Sequence, residues 1–385
     1  MRKFSLWALA ALAITACDPE VIIDPIPTQN KVITSNITGN TTWYSDTVYQ
    51  LAGRISVEAG ATLTIEPGTI IKGEAGTGSN ATALVIARDA NIVAQGTPTL
   101  PIIFTSVADE IMPADIQAGN FISPNLDPTI NGLWGGVIIL GNAKISPKPD
   151  ATGEVTAVQI EGIPTSDANG LYGGNDDNDN SGILSFVSIR HGGANIGSGN
   201  EINGLTLGGV GALTSINNIE IVANQDDGIE WFGGAVSVSY VSVWNVGDDA
   251  IDTDQSWKGE LNNFVVISPA GHCFELDGPE GSYEAGHLIQ NGDIYVGTAQ
   301  DLINVDANSI VDLKHLYFTD ITSNNQINRV TAPGVTFDNI IINVHSDSLA
   351  NHVNGAIPTT VTTGQILKAN TSTLGWTWAK QAGKF

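Results

Sequence analysis

Asp227-Gly228-Ile229-Glu230, Asp249-Ala250-Ile251-Asp252, His272-Cys273-Phe274-Glu275 and Asp301-Leu302-Ile303-Asn304 are four versions of one phrase, begun 22, 23 and 29 residues apart. A period in that range is what a chain writes when it winds through similar coils and stacks each on the last. A second series keeps the step. Ile216-Asn217-Asn218-Ile219-Glu220-Ile221, Val238-Ser239-Tyr240-Val241-Ser242-Val243 and Leu261-Asn262-Asn263-Phe264-Val265-Val266 are again 22 and 23 residues apart, with related runs at Leu184–Ile189 and Val335–Ile340. Helical periodicity is nearly absent, and 43 glycines supply many tight turns. A sandwich of antiparallel hairpins gives no reason for similar residues to return at a fixed interval. The expectation is an all-β parallel solenoid.

Upstream, Thr62–Lys72 alternates apolar and polar residues across a Pro67-Gly68 turn, followed by Leu84–Ala87, Ile92–Ala94 and Pro101–Phe104. These short strands resemble the opening coils of bacterial right-handed parallel β-helix proteins, and the resemblance implies that fold for residues 33–345. Two stretches, 105–135 and 146–182, break the period and read as loops leaving the coil. Residues 346–385, with Ile366–Ala369 and Leu374–Trp378, read as a C-terminal cap on the open end of the core, where a bare strand edge would invite aggregation.

At the other end, Arg2 and Lys3 precede an apolar run from Phe4 to Ile14 that is too short to span a bilayer. It closes in Ile14-Thr15-Ala16-Cys17, which resembles the lipobox of bacterial lipoproteins. That likeness implies a signal peptide over 1–16, lipidation of Cys17, and a Pro-rich, acidic tether over 17–32. It also implies a Gram-negative outer-membrane location, at the cell surface or the periplasmic face. Cys273 would then stand alone, leaving no intrachain disulfide. Without Arg2 and Lys3 the chain carries 13 basic and 40 acidic residues, a net charge of −27. Such a surface repels nucleic acid and suits cations or neutral glycans.

If Leu205, Ile229, Ile251, Phe274 and Ile303 point inward, strand alternation turns Thr206, Glu230, Asp252, Glu275 and Asn304 outward. Two residues on, Gly208, Phe232, Asp254, Asp277 and Asp306 also face out. Coils stack about 4.8 Å apart and same-face neighbours lie roughly 6.6–7 Å apart, so these carboxylates form a compact grid. Directly opposed like charges destabilise a sheet, which makes the grid a candidate site rather than a neutral surface. The bland alternative is that a strongly acidic protein has acids everywhere outside.

Three chemistries fit. Calcium takes several carboxylate oxygens and relieves the repulsion. Glycoside hydrolysis uses paired carboxylates. Plain glycan recognition uses the same acceptors with an aromatic face, for which Trp257, in the loop Gln255–Gly259, is the candidate and Trp231 is core. Separately, Asp177, Asp179 and Ser181 have the oxygen spacing of a calcium loop closed by Gly182, although Ser188 stands where a calcium loop has its terminal Glu. Arg190-His191 ends a strand, and a lone His there reads as structural.

Asn224-Gln225-Asp226-Asp227, Gly247-Asp248-Asp249 and Gly271-His272-Cys273 resemble, in order and spacing, the Asn-x-Asp, Asp-Asp and Gly-His-Gly elements of polygalacturonases. The resemblance implies Asp249 as general acid, Asp227 and Asp248 as the pair activating water, and His272 in support. The Arg-x-Lys element that holds the substrate carboxylate in that family has no counterpart here. Over most of its length the chain is similar to a group of Gram-negative outer-membrane lipoproteins with β-helix bodies, through segments such as Asn131–Gly136 and Asn200–Gly209. The resulting expectation is a lipid-anchored envelope protein whose acidic face binds a polysaccharide, calcium or both. A glycan-cleaving enzyme and a non-catalytic adhesion protein are the alternatives.

Overall fold

The computed structural model describes residues 29–196 and 202–385; the expected signal peptide, Cys17 and the expected tether up to residue 28 lie outside the described residues. Residues 29–32, expected to lie outside the solenoid, are strand. Gln29–Ile33 pairs in parallel with Thr47–Leu51, so residues 29–32 already belong to the first coil. Its first four side chains are exposed, and no apolar alternation marks the strand in the sequence.

Two parallel sheets make the solenoid. A long sheet runs coil by coil from Gln29–Ile33 to Val361–Thr363, and a short sheet runs from Ile55–Val57 through Leu205–Gly208, Ile229–Phe232, Ile251–Asp254 and Phe274–Leu276 to Asn304–Val305. Their inner faces meet in one core. Leu205, Ile229, Ile251, Phe274 and Ile303 are all fully buried there, as the alternation requires. Across the core Phe274 packs edge-on against Phe264 and Phe318, with centroids 5.8 and 6.1 Å away.

The strands of the long sheet are bent once per coil. Phe186, Asn218, Tyr240, Asn263, Asn291, His315 and Asn339 occupy one column of the ladder, each with φ between 51° and 60°. A left-handed residue in mid-strand turns the chain through a corner and resets which side chains face in. Leu184 is inward before the corner, Val187 and Ile189 after it. Asparagine fills four of these seven positions because its short polar side chain tolerates this conformation best after glycine. Asn291 also donates to Asn262 Oδ1 at 2.9 Å. Asn291→Val is therefore expected to cost about 1–2 kcal/mol in urea unfolding, while Asn291→Gly stays close to the parent.

The chain covers much of its own exterior. Ile111, Ile116 and Phe121, from the 105–135 excursion, pack on Val48, Ile70 and Ile103 of the long sheet. The 146–182 excursion lays Ile160, Ile163 and Tyr172 over Val85, Ile138, Leu140 and Phe232 of the short sheet. The C-terminal region divides. Residues up to Val361–Thr363 complete the last coil, with Val361 paired to Ile340. Beyond them the chain does not close the open end as expected; it turns back along the outside of the long sheet. Lys368 N donates to Asp293 Oδ1 at 2.6 Å, Asn370 N to Asn263 Oδ1 at 3.0 Å, and Ala379 N to Glu220 Oε1 at 3.1 Å, each contact one or more coils earlier than the last. Leu374, Trp378 and Ala379 then sink into a patch of Val222, Ala223, Trp244, Val265 and Ile267. Apolar surface on the flank, invisible in the local sequence, draws the tail there.

Candidate functional site

The excursion over the short sheet packs Tyr172 on Phe232 and reaches on to later coils, Tyr172 Oη donating to Gln255 Oε1 at 3.0 Å and Glu154 Oε2 accepting from Ser282 N at 3.2 Å, and the outward row from Glu230 onward forms the site beside it. Pairing follows the expected register: Thr206 with Glu230, Glu230 with Asp252, Asp252 with Glu275, and Glu275 with Asn304. Asp254 pairs beside Phe232, and the backbones of Asp277 and Asp306 bond to Thr253 and Leu276 at 2.7 and 3.1 Å, which continues the second row.

The leading acid of each phrase has a different task. Asp227 Oδ1 accepts from Asp249 N at 2.8 Å, Asp249 Oδ1 accepts from His272 N, and Asp301 Oδ1 accepts from Gln326 N at 2.6 Å. Each carboxylate thus staples the turn of its coil to the next by satisfying a backbone donor. Asn203 stands at the same place in the preceding coil, two residues before Leu205 as Asp227 is two before Ile229. Its Nδ2 donates to Glu230 Oε2. The phrase Asn203-Gly204-Leu205-Thr206 held the signal for this site residue, masked only by the absence of an acid.

Three groups of ligand atoms converge, each within 4.8 Å: Asp227, Glu230 and Asp252; Asp226, Asp227 and Asp248; and Asp249, His272 and Glu275. Burial, then the neighbouring charges, pushes Asp227, Glu230 and Asp252 well above the ordinary carboxylate range. Asp252 Oδ1 has no hydrogen-bond partner among the described residues. Burial takes Asp254 to about 7, and burial with the charge of Asp306 takes Asp277 to about 6. In the third group, a hydrogen bond to Asp249 together with burial lifts Glu275 to about 8. Burial opposes ionisation of Asp249 too, but hydrogen bonds from His272 and Glu275 outweigh it and hold Asp249 below its usual value. His272 Nδ1 lies 2.9 Å from Asp249 Oδ1 and is raised by that carboxylate. The two carboxyls of this group are thus shifted in opposite directions, Asp249 down and Glu275 up.

These shifts fix a pH dependence. Asp254, Asp277 and Glu275 hold protons in the folded chain that an unfolded chain, with values near 3.8 and 4.5, has already released. Between about pH 4 and about pH 8 the folded state binds more protons, so stability falls as pH rises through that window. Asp249, shifted the other way, loses its contribution only as pH falls below about 4. In chelator, the melting temperature is expected to be higher at pH 5.5 than at pH 8.5.

Three other expectations are corrected. Trp257 is 1% exposed and stacks on Trp231, 4.6 Å between centroids, so both indoles are core. The Asp177 carboxylate meets Lys258 Nζ at 2.7 Å and Lys144 Nζ at 3.5 Å, and Asp179 accepts from Asn142 Nδ2 at 3.2 Å. Two ammonium groups occupy the place where a cation was expected, and Ser181 is spent on Asp179 at 3.4 Å. Asp306, at the end of the grid, pairs with Arg329 at 3.0 Å on the surface. Asp226 and Glu161, which the sequence reading did not single out, join the site: Asp226 through the second group, Glu161 as a charge acting on Glu230 and Asp254.

A profile of the pectate-lyase-like β-helix domain matches residues 35–287, well over half the chain. The chain belongs to the pectate-lyase-like β-helix domain family. The matched region includes every coil from the first excursion to Asp277 and ends before Asp301. Membership of the pectate-lyase-like family carries a glycan-related or surface role. No curated protein and no solved structure gives a significant match.

Proposed function

We propose that the acidic row of the short sheet binds a divalent cation of the calcium type and, with it, a polysaccharide at the bacterial cell envelope, the body being tethered to the outer membrane through a lipidated Cys17. The observation that carries this reading is the group Asp227, Glu230 and Asp252. Its ligand atoms fall within 4.8 Å of one another, two of its members are buried, and one oxygen of Asp252 lacks a partner. An all-oxygen, multiply anionic donor set suits a hard cation, which takes several carboxylate oxygens and removes the repulsion that burial magnifies. Once the charge is neutralised, Asp277, and the lone pairs that Asp254 and Glu275 keep beside their bonds to Gln255 N and Asn304 Nδ2, accept from sugar hydroxyls. The test is a screen of the purified chain from residue 18 onward against neutral and acidic polysaccharides with calcium present, scoring retained material and new reducing ends. Retention that chelator abolishes is the expected result. Equal retention with and without calcium overturns the cation's part, and no retention overturns the glycan's.

One observation favours cleavage as a second reading. Glu275 and Asp249 share a hydrogen bond and are pushed apart, Glu275 up and Asp249 down, a separation that general acid–base chemistry uses. If new reducing ends appear, Asp249→Asn is expected to lower turnover at least 100-fold while the protein still melts cooperatively. Turnover at the parent rate removes Asp249 from the chemistry.

A further inference from the structure

The C-terminal segment covers the apolar patch of Val222, Ala223, Trp244, Val265 and Ile267 and, beside it, a set of buried polar groups. Along the outer face of the long sheet, Ser188, Glu220 and Ser242 are register neighbours, and Arg190 ends the strand that carries Ser188. Next to that apolar patch the face holds an ion pair, with Arg190 Nη2 3.3 Å from Glu220 Oε2 and both side chains fully buried. Ser188 Oγ donates to the same carboxylate at 2.7 Å and accepts from Arg190 Nε at 2.7 Å.

The tail leaves this polar floor unsatisfied. Arg190 Nη1, His191 Nε2 and Ser242 Oγ have no hydrogen-bond partner among the described residues, although all three residues are fully buried. The tail contributes two more such atoms, Trp376 Nε1 and Thr373 Oγ1. What it offers the floor is one backbone bond, Ala379 N to Glu220 Oε1 at 3.1 Å, and the ring of Trp378, which lies 5.1 Å from the Arg190 guanidinium and 5.9 Å from Trp244. Buried donors and acceptors in folded proteins are nearly always paired, so unpaired ones gathered at the tail, with His191 lying between it and the 105–135 excursion, mark a floor shaped for another occupant. The stretch leading to the tail is well placed to let go, with Ile366 and Leu367 57% and 63% exposed.

We propose that this slot is a second carbohydrate site, on the long sheet rather than the acidic face, and that residues 374–385 are its built-in plug, displaced by a neutral oligosaccharide. A sugar supplies hydroxyls for Arg190 Nη1, His191 Nε2 and Ser242 Oγ together with an apolar face for Trp244, which the departing Trp378 would uncover. The ligand is neutral because the Arg190 charge is already spent on Glu220. This inference rests on the glycan-directed reading of the family but not on the acidic row.

The test uses the full body with a protease recognition sequence inserted between Ile366 and Leu367, a fluorophore after Phe385, and Asp252→Asn to silence the acidic row. After cleavage, dissociation of the labelled tail is followed in millimolar gluco-, xylo- and manno-hexasaccharide. The expected result is at least a tenfold faster release with one of these sugars, a fivefold or greater loss of that response in Ser242→Ala, and a cooperative melt of the cleaved body. Release at one rate in every sugar overturns the proposal. So does loss of cooperative melting on cleavage, which would make the tail a permanent closure. Glycan retention by the uncleaved parent alongside flat release would reject the slot while leaving the acidic row standing.

Discussion

Replacing Trp257 with alanine is expected to destabilise the protein by about 3–5 kcal/mol in chemical unfolding, the cost of emptying a large aromatic from a packed core. The indole stacks on Trp231 at 26° and on the His287 ring at 4.8 Å, and its Nε1 donates to Val236 O at 2.9 Å. Alanine would leave a cavity and strand that carbonyl as well. Burial holds His287 neutral, with its value down at about 3, so exposing it to water would add a proton-linked route to unfolding. Wild-type stability with weakened glycan binding would contradict this and return Trp257 to the binding surface.

Trp257 also shows where sequence reading fails. Gln255-Ser256-Trp257-Lys258-Gly259 looks like a polar loop with one exposed indole, but Gln255 and Ser256 both adopt positive φ, 51° and 61°. Two left-handed residues in succession reverse the chain and turn the next side chain inward, and no pattern of residue types announces that. The acidic ladder, by contrast, was legible residue by residue. Strand alternation has period two and the coils repeat almost without slippage, so one correct inward assignment fixes every neighbour. The Asp177 loop was misread because its neutralising lysines come from elsewhere in the chain: Lys144, 33 residues away, and Lys258, 81 residues away. The tail was misread for a similar reason, since its destination is a flank assembled from several coils.

Asp252→Asn is expected to stabilise the cation-free protein by about 1–2 kcal/mol at pH 8, a gain of the size seen when a site kept for function is neutralised. Asp252 is paired in register between Glu230 and Glu275, and its unpartnered oxygen obtains nothing in return for the repulsion. The amide removes the charge and brings two donors to neighbouring carboxylates. The same change should abolish any stabilisation by calcium. A mutant less stable than the parent in chelator would mean that Asp252 is held by favourable contacts and that the row is ordinary surface.

The most direct test of the acidic row is a thermal melt of the chain from residue 18 onward at pH 8, in millimolar calcium and in chelator. At 100 times the dissociation constant a ligand adds about 2.7 kcal/mol, which in a protein of this size corresponds to a rise of roughly 3–4 °C. That rise, absent in Asp252→Asn, is the predicted result. Superimposable melts in calcium and in chelator would contradict the account and leave the converging carboxylates without a cation to explain them.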